Sequence, residues 1–285
     1  MTQSVTTILD GLNLVDRFLF DETMENPEAY QAAISILLED EVEFLKKPET
    51  EKELRISPEL RSVRLDVISM DKFKRIYYTE MQKTDTRNLM KRSRYYQAQL
   101  DCSLLEPGST DFNKLNDACF ILVAPFDLFG KGRYRYTFEG VCRECPEIKI
   151  NDGAMRIFIN TKGNNDEEFS QEFLDFMKYI TDTTDELAEQ TESKKIKTVH
   201  ENVKKIRQSE KMGVKYMQLW EEKLMIREAG REEGREEGMR AGMKALIEMC
   251  REAGLSKEDT MSKIKEKCEL TDQDAEKYLT KYWNA

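Results

Sequence analysis

Two acidic side chains and an amide occur in a stretch whose residue pattern predicts a β-hairpin. Asp66 falls within residues 60–70, which alternate in polarity and are rich in β-branched side chains. Glu80 and Gln82 fall within residues 74–82, which have the pattern of a partner strand. Because successive side chains of a strand point to opposite faces, Glu80 and Gln82 share one face of the hairpin.

The predicted hairpin brings the two acids together. With the turn centred on Phe73, Asp66 lies directly opposite Glu80, and the Cβ atoms of such a pair are about 4.5–5.5 Å apart. Two carboxylates at this distance repel each other unless a positive charge lies between them. Mg²⁺ or Mn²⁺ supplies that charge, activates a bound water and neutralises charge on a phosphodiester. Gln82 could hydrogen-bond the attacking water or a phosphate oxygen.

The same acids also have a non-catalytic interpretation. Acidic residues on a strand commonly face solvent or pair with nearby basic side chains, and Arg64 and Lys74 are available for this. The catalytic interpretation requires both carboxyl groups on one side of the sheet. It also requires that neither be bound to an arginine of its own.

The elements around the hairpin predict a mixed α/β core. Residues 12–40 have a helical pattern that Asn26-Pro27 divides into two helices, since proline is favoured at the first helical position. Residues 86–102 follow the hairpin with one apolar stripe at helical spacing. Two apolar runs then predict further strands at residues 118–124 and 154–160, and residues 133–141 could add another between them.

Strand patterns end near residue 165, and the rest of the chain has helical patterns. We expect three segments: a core at 1–165, a helical extension at 166–228, and a glycine-repeat helix with a helical hairpin at 229–285. Glycine recurs every fourth residue at 230, 234, 238 and 242. This stripe favours close packing of a second helix, which suggests a homo-oligomer formed through the C-terminal helices. The alternative is a solvated linker helix.

Two shorter motifs are less specific indicators of function. Ser256 and Thr271 each precede an acidic residue by three positions, which is typical of helix N-caps, so the last two helices could form a DNA-reading helix-turn-helix. Cys142 and Cys145 form a Cys-x-x-Cys motif, but a structural zinc site would need a second pair of ligands.

Composition limits the location and the partners. No apolar run approaches the length of a membrane span, and no signal peptide is apparent, so we expect a cytoplasmic protein without a membrane partner. The net charge of −10 is unusual for a nucleic-acid binder. A basic group nevertheless follows the hairpin and leaves room for a local basic surface; it contains Lys83, Arg87, Lys91, Arg92 and Arg94.

Three short motifs follow one another along the hairpin and the next helix: Arg64-Leu65-Asp66-Val67, Glu80-Met81-Gln82 and Arg92-Ser93-Arg94-Tyr95-Tyr96. In these motifs the sequence resembles the Rpn family of recombination-promoting nucleases and transposase-like proteins, within the PD-(D/E)XK superfamily. The resemblance continues through Phe120–Asp127, Phe129–Tyr134 and Asn151–Ala154, and the glycine repeats are similar to the tails of such proteins. The likeness extends over roughly residues 10–250.

The resemblance implies an α-β-β-β-α-β core that cleaves DNA with Mg²⁺ in recombination or mobile elements. Asp66 would be the central metal ligand and Glu80 the second. Gln82 would take the place of the superfamily's lysine, which removes a positive charge from the site. An acid of the first helix often completes such sites, and Glu25 and Glu28 are both candidates.

Four residues are expected to contact the DNA backbone: Lys83, Arg87, Arg92 and Tyr96. Arg92 and Tyr96 are four residues apart and so share a helix face, although Tyr96 would equally suit the core.

The sequence also allows two other functions. One is a catalytically inactive DNA-binding or assembly module that retained the nuclease fold. The other is a coiled-coil scaffold, which would explain the tail but not the hairpin motif.

Overall fold

The structure, a computed structural model, describes residues 5–54, 63–106, 108–268 and 270–283. The chain divides into two compact units, Met1–Tyr216 and Met217–Ala285. This division differs from the three segments expected, because the helices between residues 171 and 207 pack into the same core as the sheet.

A six-stranded mixed sheet forms the centre of the first unit. Its strands are β1 (Glu49–Leu54), β2 (Val63–Met70), β3 (Ile76–Met81), β4 (Ala118–Ala124), β5 (Arg135–Phe138) and β6 (Ala154–Asn160). Their order across the sheet is β1-β2-β3-β4-β6-β5. Strands β3, β4 and β6 run parallel to one another, whereas β1, β2 and β5 pair antiparallel to their neighbours.

Three helices precede the sheet: α1 (Val5–Asp10), α2 (Arg17–Met24) and α3 (Pro27–Leu38). Helix α4 (Leu89–Leu104) links β3 to β4. After the sheet come α5 (Gln171–Thr181), α6 (Asp185–Gln190), α7 (Lys194–Arg207), α8 (Glu210–Glu252), α9 (Lys257–Cys268) and α10 (Asp272–Tyr282). The expected mixed α/β core followed by a helical region is therefore confirmed.

Two hydrophobic clusters of the first unit share the side chains of the sheet between them. Along β3, Tyr77 and Met81 belong to the first cluster, while Ile76 and Tyr78 belong to the second. The first cluster contains the buried side chains of α2, α3, α5 and α7, and the second contains those of α4. Strand β4 is buried throughout because it contributes to both clusters, which explains its uninterrupted apolar run.

The two-residue alternation of β2 breaks at Asp66. Val63 and Leu65 lie in the second cluster, Val67 lies in the first, and Ile68 lies in the second again. In a regular strand, Val63, Leu65 and Val67 would share one face. Strand β2 pairs with β1 in one register on both sides of the break. In that register Glu51 of β1 faces Asp66, and Glu51 has a left-handed φ of 51°.

The second unit has a small core of its own, made by the end of α8 with α9 and α10. Met243, Ile247, Ile264, Ala275 and Leu279 are buried there. Ser256 and Thr271 accept hydrogen bonds from the amides of Asp259 and Asp274, so both expected N-caps are confirmed. None of the helices in the described ranges is long and apolar enough to cross a membrane.

Candidate functional site

The register of the β2–β3 hairpin is the one expected from the sequence. Its pairs run from Met70 with Ile76 to Val67 with Thr79, so the next residues in this register are Asp66 and Glu80. The main-chain amide of Met81 donates a hydrogen bond to Asp66 Oδ2 at 3.2 Å. Asp66 is only 2 % exposed and Glu80 only 4 %. The hairpin thus buries two acids in neighbouring strands.

Each of these carboxylates is paired with an arginine from a different helix. Arg17, the first residue of α2, forms an ion pair with Asp66 Oδ1. Arg92 of α4 donates from Nη2 to Glu80 Oε2 at 3.2 Å. Two guanidinium groups supply the positive charge that we expected from a metal ion. This is the pairing that the simple catalytic interpretation required to be absent.

Gln82 is also held by Arg92. The same Nη2 atom donates to Gln82 Oε1 at 2.7 Å, and Gln82 Nε2 donates to the carbonyl of Thr84 at 2.5 Å. The amide therefore orients the arginine that neutralises Glu80. Its role in this structure is to position Arg92, where we had expected a contact to water or phosphate.

A third acid, which sequence reasoning missed, adjoins the pair. Arg17 contacts Asp21 through Nε at 3.3 Å while it contacts Asp66, and Asp21 is only 5 % exposed. The signal in the sequence was an arginine and an aspartate four residues apart in an otherwise apolar helix start.

The two acids proposed from the sequence lie elsewhere. Glu25 is the C-cap residue of α2 and accepts a hydrogen bond from Thr50 Oγ1 at 2.9 Å. Glu28 is exposed in the first turn of α3. The acid of the early helices that shares an arginine with Asp66 is therefore Asp21.

Burial and mutual repulsion strongly perturb the titration of these acids. Burial, followed by the charge of Asp66, raises the pKa of Asp21 to about 8 and the pKa of Glu80 to about 8. Burial also raises the pKa of Asp66, against the opposing effect of Arg17. Three acids and two arginines leave one negative charge in excess when all are ionised, so the cluster tends to hold a proton or another cation.

The oxygens of the cluster suit a divalent cation. Asp21 Oδ1 and Glu80 Oε1 are buried and have no hydrogen-bond partner among the residues that the structure describes. Carboxylate oxygens are the ligands that Mg²⁺ and Mn²⁺ prefer. Within the described ranges, no three His, Cys, Asp or Glu side chains are placed to hold one ion together. Binding at this cluster would therefore require a shift of side chains.

The residues expected to contact DNA divide into two groups. Arg92 lies over the ring of Tyr96, with its Cζ 5.6 Å from the ring centroid, and Tyr96 also packs against the second cluster. Lys83 and Arg87 are exposed in the connection between β3 and α4. Lys83 Nζ donates to Asp16 Oδ1 at 2.5 Å. Arg92 and Tyr96 thus adjoin the acids, whereas Lys83 and Arg87 are surface residues.

The six cysteines are free thiols, and Cys142 and Cys145 are both partly exposed.

Comparisons of the chain with protein-family models, with curated proteins and with solved structures found no match. The resemblance to the Rpn family therefore remains an expectation from the sequence motifs.

Proposed function

We propose that this protein is a metal-dependent DNA endonuclease whose reaction centre contains Asp66, Glu80 and Asp21. The observation that carries the proposal is a pair of buried acids in neighbouring strands, Asp66 and Glu80, whose charges act on each other and which are joined by a third acid of α2. Buried carboxylates are costly unless they are paired with positive charge or coordinate a metal, and strongly perturbed pKa values cluster at functional sites. The order of helices, three strands, helix and strand supports a PD-(D/E)XK-like core.

Each side chain has a role in this proposal. Asp66, Glu80 and Asp21 would hold Mg²⁺ or Mn²⁺, which when bound would activate water and offset charge on the phosphodiester. The Arg17 side chain is 45 % exposed, so it can leave Asp66 and turn towards a phosphate of the substrate. Arg92, which Gln82 orients, neutralises Glu80 and lies where a second phosphate could approach.

A second candidate function rests on the arginine pairs. If Arg17 stays bound to Asp66 and Arg92 to Glu80, the site binds no metal ion and the domain binds DNA without cutting it. The acids would then serve to orient two arginines for phosphate contact. This is the catalytically inactive DNA-binding module.

Nicking of supercoiled plasmid DNA distinguishes the two functions. The nuclease proposal expects conversion to the open-circular form with Mg²⁺, none with EDTA, and a loss of at least a hundredfold in Asp66→Asn. Asp117→Asn is a matched control, because Asp117 is also paired with an arginine, Arg75, at 3.3 Å but lies outside the cluster. DNA binding without nicking at any concentration of Mg²⁺ or Mn²⁺ would favour the inactive module.

A further inference from the structure

A groove of about 980 Å³ lies along α4 beside the start of β2. Its lining includes Arg64, Lys91, Arg92 and Arg94 together with Tyr95 and Tyr96. Among the lining residues described, four are basic and none is acidic. In a chain of net charge −10, such a local concentration of positive charge marks a surface for an anionic ligand.

Two of the basic residues are available to a ligand. Lys91 and Arg94 are exposed, and within the described part of the chain no ion pair is recorded for either. Arg64, by contrast, is paired with Glu51. Arg94 and Tyr95 lie three and four residues after Lys91, so both are neighbours of Lys91 on the surface of α4.

The groove leads to the acids of the candidate site. Arg92 lines the groove and also contacts Glu80 and Gln82. Tyr96 lines it next to Arg92 and stacks on that guanidinium. A polyanion lying along α4 would therefore pass directly from Lys91 and Arg94 to the buried carboxylates.

The aromatic side chain indicates which kind of polyanion fits. Tyr95 is 37 % exposed and lines the groove with Lys91 and Arg94, while its hydroxyl accepts a hydrogen bond from Gln99 at 2.9 Å. Proteins that bind single strands combine basic grooves with rings on which bases stack. A double helix keeps its bases stacked inside and offers none to such a ring. The volume of the groove also suits a few nucleotides of one strand.

We infer that this groove binds single-stranded DNA, with a base stacked on Tyr95 and neighbouring phosphates held by Lys91 and Arg94. The inference deepens the proposed nuclease function and rests on it for the place of cleavage. Under it, the enzyme acts on single-stranded or unpaired segments that α4 guides towards Asp66 and Glu80.

The test measures binding by fluorescence anisotropy of the full-length protein in EDTA, where no cleavage occurs. A labelled 15-nucleotide oligo-dT and a 15-base-pair duplex are the two probes. We expect tighter binding of oligo-dT than of the duplex. Tyr95→Leu should weaken oligo-dT binding by roughly tenfold, as expected for the loss of one stacked base, with less than a twofold effect on the duplex. Tyr95→Phe should bind like the wild type.

Phe73→Leu is the matched control, because Phe73 is 80 % exposed with Lys72 over its ring, yet lies at the opposite end of the hairpin. Arg94→Ala should reduce the slope of log affinity against log salt by about 0.7. Equal binding of the two probes, or oligo-dT binding unchanged in Tyr95→Leu, would overturn the inference. Normal oligo-dT binding by a wild-type protein that never nicks DNA would overturn only the nuclease proposal.

Discussion

Arg17, at the start of α2, forms an ion pair with Asp66, the buried aspartate of β2, and contacts Asp21 one turn further along the helix. A single, half-exposed guanidinium thus partly neutralises two buried carboxylates. Glu80 has Arg92 in the same role. The site is a compact network of alternating charges, and its behaviour depends on whether these arginines can be replaced by a metal ion.

Removing Arg17 should destabilise the protein through the acids left behind. We expect Arg17→Ala to lower the free energy of unfolding by about 1–3 kcal/mol, because Asp66 and Asp21 lose their nearest positive charge while the exposure of Arg17 limits the effect. Urea denaturation in EDTA measures this change. Arg133→Ala, which removes an exposed pair with Glu168, should cost less than 1 kcal/mol. An equal loss of stability in both variants would show that the Arg17 pairs stabilise the protein no more than an exposed surface ion pair does.

The pH dependence of stability should reflect the buried acids. The pKa of Glu80 rises from 4.5 to about 8 on folding, so between these values the unfolded chain releases its proton before the folded one. The contribution of Glu80 to stability is therefore complete below pH 4.5 and is lost as the pH rises to about 8. In EDTA, Glu80→Gln should show a shallower fall in stability over this window. Exposed Glu43 provides the control Glu43→Gln, whose pH profile should match the wild type.

Divalent metal should stabilise the protein through Asp21. If Mn²⁺ binds the folded cluster, a concentration of about a hundred times the Kd adds about 2.7 kcal/mol of stability, which raises the Tm at pH 8 by several degrees. Asp21→Asn should lose most of this increase. Glu25→Gln and Glu28→Gln should keep it, because neither side chain faces the cluster. A loss in the Glu25 variant with none in the Asp21 variant would reverse this assignment.

Much of the hairpin could be predicted because its geometry is local. A single turn sets the pairing of two adjacent antiparallel strands, so the pairs from Met70 with Ile76 to Val67 with Thr79 follow from where the turn lies. Strands β4 and β6 occupy the expected residues 118–124 and 154–160, since their apolar runs are covered on both faces. Residues 60–62 of the expected first strand lie outside the described residues.

Strand β1 could not be predicted from its own residues. Glu49–Leu54 has the sequence Glu-Thr-Glu-Lys-Glu-Leu, which is poor in strand-forming side chains. It forms a strand because β2 offers it a partner at the edge of the sheet. Lys52 pairs with Glu49 there, and charged residues are common on edge strands, where they discourage further pairing.

The arginine partners of the acids and the third acid, Asp21, could also not be predicted from the sequence. Which acid of the early helices faces Asp66 depends on where α2 ends and how it approaches the sheet. Asn26 caps α3 and places Glu25 at the end of α2 and Glu28 on the surface. Asp21, one turn earlier, is left on the buried side. Such choices arise from tertiary packing, which no local pattern specifies.

The geometry of Arg92 should matter more than its charge. Its guanidinium holds Glu80 and Gln82 together and stacks on Tyr96. A lysine keeps the charge but has no planar fork with which to make these contacts. We therefore expect Arg92→Lys to reduce plasmid nicking by at least tenfold, while the far-ultraviolet circular dichroism stays unchanged. Lys114→Arg, which alters an exposed lysine outside the groove and the acidic cluster, should nick at the wild-type rate. Full activity in Arg92→Lys would mean that charge alone suffices, and the orienting role assigned to Gln82 would then be lost.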